Sequence, residues 1–221
     1  VVDLRSDTVT LPCKRLRAAM AGAKVGDDVF GEDPTVSRLE ECVAMLLGKE
    51  KGLFVPSGSM ANLIAVGVHC RRGNEFILGK ESHVFLYEAA GASAFMGVGY
   101  HTLSNLEDGG LDLDEIAGAI RDEDQHFPRS ALLCLENTQN ACGAVAISAE
   151  RTAKMAAVAH RSGLKVHVDG ARLWNAAVAL GVRPSELVAP VDTVSVCLSK
   201  GLGAPVGSVL VGSAEFITEV R

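Results

Sequence analysis

The stretch Lys165-Val166-His167-Val168-Asp169-Gly170-Ala171-Arg172 decides how the rest of the chain is read. Lys165 to Val168 is a short strand-like run that ends on a carboxylate, a glycine and an arginine. Arg172 to Leu180 then carries apolar residues at helical spacing and stops at Gly181, where a left-handed cap is expected. A second apolar run, Thr193 to Leu198, ends on Ser199-Lys200-Gly201-Leu202-Gly203. Runs of four to six apolar residues suit strands covered on both faces. Strand, helix and strand joined by short glycine-containing connections imply a βαβ unit, and hence a parallel sheet.

The same alternation extends in both directions. Leu53-Phe54-Val55 reads as a strand before a helix over Met60 to Arg71, and Glu75 to Leu78 as another strand. Tyr87 to Ala94 reads as helical. Ala131 to Leu135 is a strand before a helix over Ala149 to Arg161, and Ser208 to Val211 is a last strand before a helix that starts near Ala214. Asp33-Pro34 supplies an N-cap and a first-turn proline for a helix over Thr35 to Leu47, with Gly48 at its stop. Ser148 can cap the helix that follows it, and Gly163 closes that helix. The expectation is one α/β domain over residues 1–221, a mainly parallel central sheet with helices on both faces. In such sheets ligands sit outside the carboxyl ends of the strands, so polar residues there are the first candidates for chemistry.

Composition narrows the partners. Of 221 residues, 48% are hydrophobic and 22% charged, which fits a folded domain rather than a disordered chain. The 21 basic against 27 acidic side chains leave a net charge of −6, so nucleic acid is not an expected partner. No apolar run reaches the eighteen or so residues of a membrane span. The six cysteines show no metal-binding spacing and mostly sit in apolar runs, so buried reduced thiols are expected. The chain opens on Val1 without a leader-like segment and stops within a starting helix, so the intact protein is expected to be longer.

Three places could carry chemistry. Phe54-Val55-Pro56-Ser57-Gly58-Ser59-Met60 reads as strand, turn and helix start. A helix start offers free N–H groups and a positive dipole end, so Ser57, Gly58 and Ser59 could cradle a phosphate. An ordinary serine-capped helix is the plainer reading. Asp169 ends a buried strand, where a carboxylate needs a partner. Arg172 could be that partner in a purely structural pair. His167 and Asp169 could instead offer two metal ligands from one strand face, too few for a site alone, and no metal is expected. Lys200 leaves an apolar strand, where desolvation favours a neutral, nucleophilic amine; a solvent-facing lysine is the alternative. Together these are a phosphate cup, a carboxylate and an amine. Pyridoxal 5'-phosphate needs those three groups, for its phosphate, its ring nitrogen and its aldehyde. Asp169 and Lys200 are 200 − 169 = 31 residues apart, a reasonable length for one strand-helix-strand passage.

The chain resembles the low-specificity L-threonine aldolase family, pyridoxal phosphate enzymes of the aspartate-aminotransferase-like fold. The resemblance rests on Asp3-Leu4-Arg5-Ser6-Asp7-Thr8-Val9-Thr10, Val25-Gly26-Asp27-Asp28-Val29-Phe30-Gly31-Glu32-Asp33-Pro34-Thr35, Phe54 to Met60, Val166 to Arg172 and Cys197-Leu198-Ser199-Lys200-Gly201-Leu202. By matching position it implies that Lys200 bonds the cofactor aldehyde, Asp169 meets the ring nitrogen, and Ser57, Gly58 and Ser59 hold the phosphate. It places His83 over the ring and makes it a candidate base. Arg172 would contact the cofactor or the substrate carboxylate, with Ser6 near that carboxylate. His126 and Tyr87 would surround the substrate hydroxyl, His126 reaching across a subunit interface. Read without the family, His83 is a polar helix start and His126 a loop residue. Glu136-Asn137-Thr138 either positions the ring or caps a turn.

The resemblance implies cleavage of L-threonine or L-allo-threonine, a small β-hydroxy amino acid, to glycine and acetaldehyde. It also implies a homotetramer or homodimer, a smaller carboxyl-terminal domain beyond these residues, and a cytoplasmic or else mitochondrial location. A remnant without activity, or an aminotransferase on the same fold, stays open as an alternative.

Overall fold

A computed structural model describes residues 2–221. Val1 lies outside the described residues. Seven strands form one sheet: β1 (Lys51–Val55), β2 (Glu75–Gly79), β3 (Gly99–Leu103), β4 (Ser130–Glu136), β5 (Lys165–Asp169), β6 (Thr193–Cys197) and β7 (Ser208–Gly212). The helices are α1 (Lys14–Ala21), α2 (Pro34–Leu47), α3 (Gly58–His69), α4 (His83–Leu86), α5 (Leu113–Ala119), α6 (Ala149–Arg161), α7 (Leu173–Leu180), α8 (Pro184–Val188) and α9 (Ala214–Val220).

The strand order is β1-β7-β6-β5-β4-β2-β3. The run from β6 to β3 is parallel, as expected. Only β7 is antiparallel, to both its neighbours, so β1 runs the same way as β6. The carboxyl ends of every strand except β7 therefore share one rim.

The sheet has two faces of different chemistry. Val166, Val168, Val194, Val196, Val209 and Val211 pack with residues of α2, α5, α6, α7 and α8 into the larger core. The other face of β5 and β6 carries His167, Asp169, Thr193, Ser195 and Cys197, all buried. Helix α3 covers that polar side, its own buried positions being Ala61, Asn62, Ala65 and Val66. A parallel strand covered on both faces has no water on either, so each polar group there must find a protein partner.

The expected caps are present. Asp33 accepts from the N–H groups of Thr35 and Val36, and Ser148 from that of Arg151. Gly48, Gly163 and Gly181 adopt left-handed backbone after helices. The expected helix over Tyr87 to Ala94 is corrected. Helix α4 ends at Leu86, Ala89 and Ala90 take positive φ of 52°, and a separate turn spans Ala92–Met96. Two left-handed alanines cannot continue a right-handed helix. The short elements β3, α5 and α8 were not expected.

All six cysteines are free, and Cys70, Cys134 and Cys197 are buried as expected. Cys142 is half-buried. Cys13 and Cys42 are exposed, Cys42 because it lies off the stripe of Val43, Ala44 and Leu47 that α2 buries.

Candidate active site

The carboxyl ends of β1, β5 and β6 meet beside the start of α3. A cleft of about 260 Å³ there is lined by Ser57, Gly58, Ser59, Asn62, His83, Glu88, Asp169 and Lys200, with neighbouring residues of the same loops. Residues from three strand ends thus face one small space.

At the start of α3, Ser57 is the N-cap and its hydroxyl accepts from the Met60 N–H at 3.2 Å. The N–H groups of Gly58 and Ser59 have no acceptor within the helix by its geometry, and they open on the cleft. Gly58 has its own reason to be glycine: a Cβ there would lie 2.9 Å from the Cys197 sulfur. The glycine lets α3 sit close against β6, rather than only letting a ligand approach the backbone.

Asp169 is 4% exposed. Its Oδ1 accepts from the Ala171 N–H at 3.0 Å, and its Oδ2 from the Asn62 amide at 2.8 Å. Among the described residues it has no ion-pair partner. Arg172, the expected structural partner, turns away and grips Asp7 with two bonds, Nε at 2.9 Å and Nη2 at 2.6 Å. His167 does share a strand face with Asp169, but Asn62 sits between them and bonds both. A buried carboxylate without a cation costs several kcal/mol, so Asp169 is prepared for a cationic or N–H-bearing group that enters from the cleft.

Two further acids stand close. Glu88 accepts from the Asn62 amide at 2.9 Å and pairs with Nδ1 of His83 at 3.0 Å. That bond raises the His83 pKa, while burial opposes the rise. It also fixes the tautomer: with Nδ1 bearing the proton toward Glu88, Nε2 keeps a lone pair and can act as a base. Glu136 ends β4 directly beside Asp169. It accepts N–H bonds from His83 at 2.8 Å and Asn140 at 3.0 Å. Burial, and then the charge of Asp169, push it up to about 7.

A carboxyl whose folded pKa exceeds its unfolded value binds its proton more readily in the native state. Its stabilising effect is present below the unfolded value of 4.5 and lost as pH rises towards about 7. Glu136→Gln is therefore expected to flatten the fall in unfolding free energy across that window. Denaturation midpoints measured at intervals of pH would show it, and parallel curves for parent and variant would contradict it.

Lys200 lies in the loop that joins the antiparallel strands β6 and β7, three residues past Cys197. Its carbonyl accepts from the Gly203 N–H at 2.8 Å and from the Thr10 hydroxyl at 2.7 Å. The lysine is half-buried, not deeply buried as the apolar run before it implied. The amino-terminal segment is thus tied to the site twice, at Lys200 and at Arg172. Ser6 lies on that segment, its hydroxyl accepting from the Thr8 N–H and hydroxyl at 3.2 and 2.9 Å.

Four expected residues do not line the cleft: Ser6 and Arg172, which are linked to it through the amino-terminal segment, and His126 and Tyr87. His126 bonds Asp124 at 2.7 Å on an outer loop, its side chain 75% exposed, and does not line the cleft. Tyr87 is exposed, its ring 5.5 Å from that of His83. In Glu136-Asn137-Thr138 the two readings divide by residue. Asn137 closes a loop through Ile147, donating to its carbonyl at 2.9 Å and accepting its N–H at 3.1 Å. Glu136 belongs to the site's acidic group.

The beta-eliminating lyase family matches residues 3–221. The chain belongs to that family. Among lyases of this kind it is 54% identical over 223 residues to Low-specificity L-threonine aldolase 1 of Arabidopsis thaliana, covering all of this chain and 62% of that one. It is 45% identical to the Low specificity L-threonine aldolase of Escherichia coli K12, covering 98% of this chain and 64% of that one. A solved threonine aldolase from Leishmania major superposes with a TM-score of 0.82 over 96% of this chain and 62% of its own, at 20% identity. That likeness shows the shared fold. The chain therefore spans less than two thirds of the relatives' length.

Asn62, Glu88 and Asp7 escaped the sequence reading. Asn62 was detectable as the one amide among the apolar residues of Gly58-Ser-Met-Ala-Asn-Leu-Ile-Ala-Val-Gly-Val. Glu88 left no such signal, because its position depends on the left-handed turn at Ala89 and Ala90.

Proposed function

We propose that the protein uses pyridoxal 5'-phosphate to split the Cα–Cβ bond of a β-hydroxy amino acid of the threonine type, giving glycine and an aldehyde. The observation that carries the reading is the buried carboxylate of Asp169, without a cationic partner among the described residues, in one cleft with a lysine and a helix start. The donor set fits the cofactor group by group. The Gly58 and Ser59 N–H groups with the Ser59 hydroxyl suit its phosphate, Asp169 its protonated ring nitrogen, and Lys200 its aldehyde. When bound, pyridoxal phosphate supplies an electron sink for negative charge at the substrate's α-carbon.

The chain's own residues do the rest. Lys200 would hold the aldehyde through its amine. Asp169 would hold the ring nitrogen through its carboxylate. His83, aligned by Glu88, presents Nε2 to take the β-hydroxyl proton. A positioned base of this kind is worth about 10²–10⁴-fold in rate. Ser6 and Arg172 would hold a substrate carboxylate, Arg172 exchanging part of its grip on Asp7 for it. His126 and Tyr87 are exposed, as are the apolar side chains Val25, Phe30 and Phe95. A second copy of the chain would cover such residues and bring its own His126 to this cleft.

The test is incubation of the purified protein with pyridoxal phosphate and L-threonine or L-allo-threonine, following acetaldehyde and glycine. Equal amounts of both products, from a species larger than a monomer, are expected. Conversion of the cofactor to its amine form by amino acids, without acetaldehyde, would replace this reading with transamination. Binding without either reaction would mark a remnant.

A further inference from the structure

Behind the cleft, on the polar face of β5 and β6, a chain of hydrogen bonds runs away from Asp169. Asn62 is its centre. The amide nitrogen of Asn62 donates to Asp169 at 2.8 Å and to Glu88 at 2.9 Å. Its carbonyl accepts from the Ser195 hydroxyl at 2.8 Å and faces Nε2 of His167 at 3.1 Å. Nδ1 of His167 meets the Thr193 hydroxyl at 3.0 Å, and Nε2 of His69 meets the same hydroxyl at 2.9 Å. Asn62, Thr193, Ser195 and His167 are each 1% exposed or less.

One assignment of protons satisfies the whole chain. The Asn62 amide nitrogen faces the carboxyl oxygens of Asp169 and Glu88, and its carbonyl faces the other way. With its proton on Nε2, His167 is a second donor to that carbonyl beside Ser195. Nδ1 of His167 then accepts from the Thr193 hydroxyl, whose oxygen accepts from His69. Burial holds His167 at about 3 and His69 at about 4, so both rings are neutral, as the pattern requires. The Asn62 amide uses both of its hydrogens and both lone pairs of its carbonyl. Two donors on that carbonyl polarise the amide and strengthen the bonds it gives to the carboxylates.

We infer that Asn62, oriented by Ser195 and by the His69–Thr193–His167 chain, is the positioning residue that fixes the Asp169 carboxylate for the cofactor's ring nitrogen. The inference rests on the proposed function. Asn62 acts through Asp169: it stabilises the anion and sets the direction of its free lone pairs, which favours the proton on the ring nitrogen. Asn62 and the Ala171 N–H hold the carboxylate by one bond on each oxygen.

The experiment compares the affinity of the protein for pyridoxal 5'-phosphate with its affinity for the 1-deaza analogue, in which a C–H replaces the ring nitrogen. Both carry the same phosphate and aldehyde, so the ratio isolates the ring contact. The parent is expected to prefer the natural cofactor. Asn62→Ala should shrink that preference about tenfold to a hundredfold, the value of one hydrogen bond to a charged group, while binding of the analogue changes little. Ser195→Ala, which removes one donor to Asn62 without touching the cleft, should shrink the preference in the same direction by a smaller factor. It decides the matter if Asn62→Ala does not fold.

Equal loss of affinity for both ligands in these variants would show a merely structural role and overturn the inference. An unchanged ratio would overturn it as well. A parent that binds both ligands equally would remove Asp169 from the ring nitrogen, and the proposed function would then fail together with the inference.

Discussion

Lys200→Ala is expected to lower threonine cleavage by about a thousandfold or more, the scale seen when a covalent group of a catalytic set is removed. The prediction follows from where the lysine stands. Among the described residues it is the only lysine lining the cleft, and its loop is fixed by two bonds to its carbonyl rather than by its side chain. Alanine keeps those backbone bonds. The variant should fold with stability within about 1 kcal/mol of the parent, as for substitutions that create no cavity and break no network. Its cofactor should wash out on dialysis, and borohydride should fix none of it to the chain. Retained cleavage, or cofactor trapped as efficiently as in the parent, would move the covalent role to another residue.

Asp169→Asn is expected to cost about 10²–10³ in turnover, the magnitude of losing one preorganised electrostatic group. The shapes are alike, but the amide cannot hold a charge-assisted bond to a protonated ring nitrogen. It also fits the protein's own bonds at this position poorly. Asp169 accepts one bond on each oxygen, from Ala171 and Asn62, so an amide must set a donor against one of them. A second readout is independent of turnover. The Asp169 charge helps to raise the Glu136 pKa, second only to burial. Removing it should bring the Glu136 titration down toward the ordinary range without reaching it. A variant with full activity and an unmoved Glu136 would contradict both the role of Asp169 and the closeness of the two acids.

Much of this arrangement was legible in the residues. The strands β4, β5, β6 and β7 announce themselves as apolar runs. The strand-end position of Asp169 and Lys200 follows from where those runs stop. What could not be read is which side chain satisfies which. Arg172 lies three residues from Asp169 and looked like its partner, yet its partner is Asp7, 165 residues away in sequence. No local pattern encodes such a pairing, because the fold closes it. The alternation Thr193-Val194-Ser195-Val196-Cys197 was the signal that went unused. A strand buried on both faces whose inward positions alternate polar and apolar needs a polar neighbour above it, and Asn62 and His167 are that neighbour. The missed strand β3 is half-exposed and lies at the edge of the sheet, so little apolar pressure shaped its sequence.

The central claim is that Lys200, Asp169 and the start of α3 surround a single cofactor molecule. A crystal structure of the protein soaked with pyridoxal 5'-phosphate tests it most directly. The phosphate should lie on the Gly58 and Ser59 N–H groups, the ring nitrogen within hydrogen-bonding distance of Asp169, and the aldehyde carbon joined to Lys200. A cofactor bound elsewhere, or seated in the cleft with its ring nitrogen turned away from Asp169, would contradict the claim.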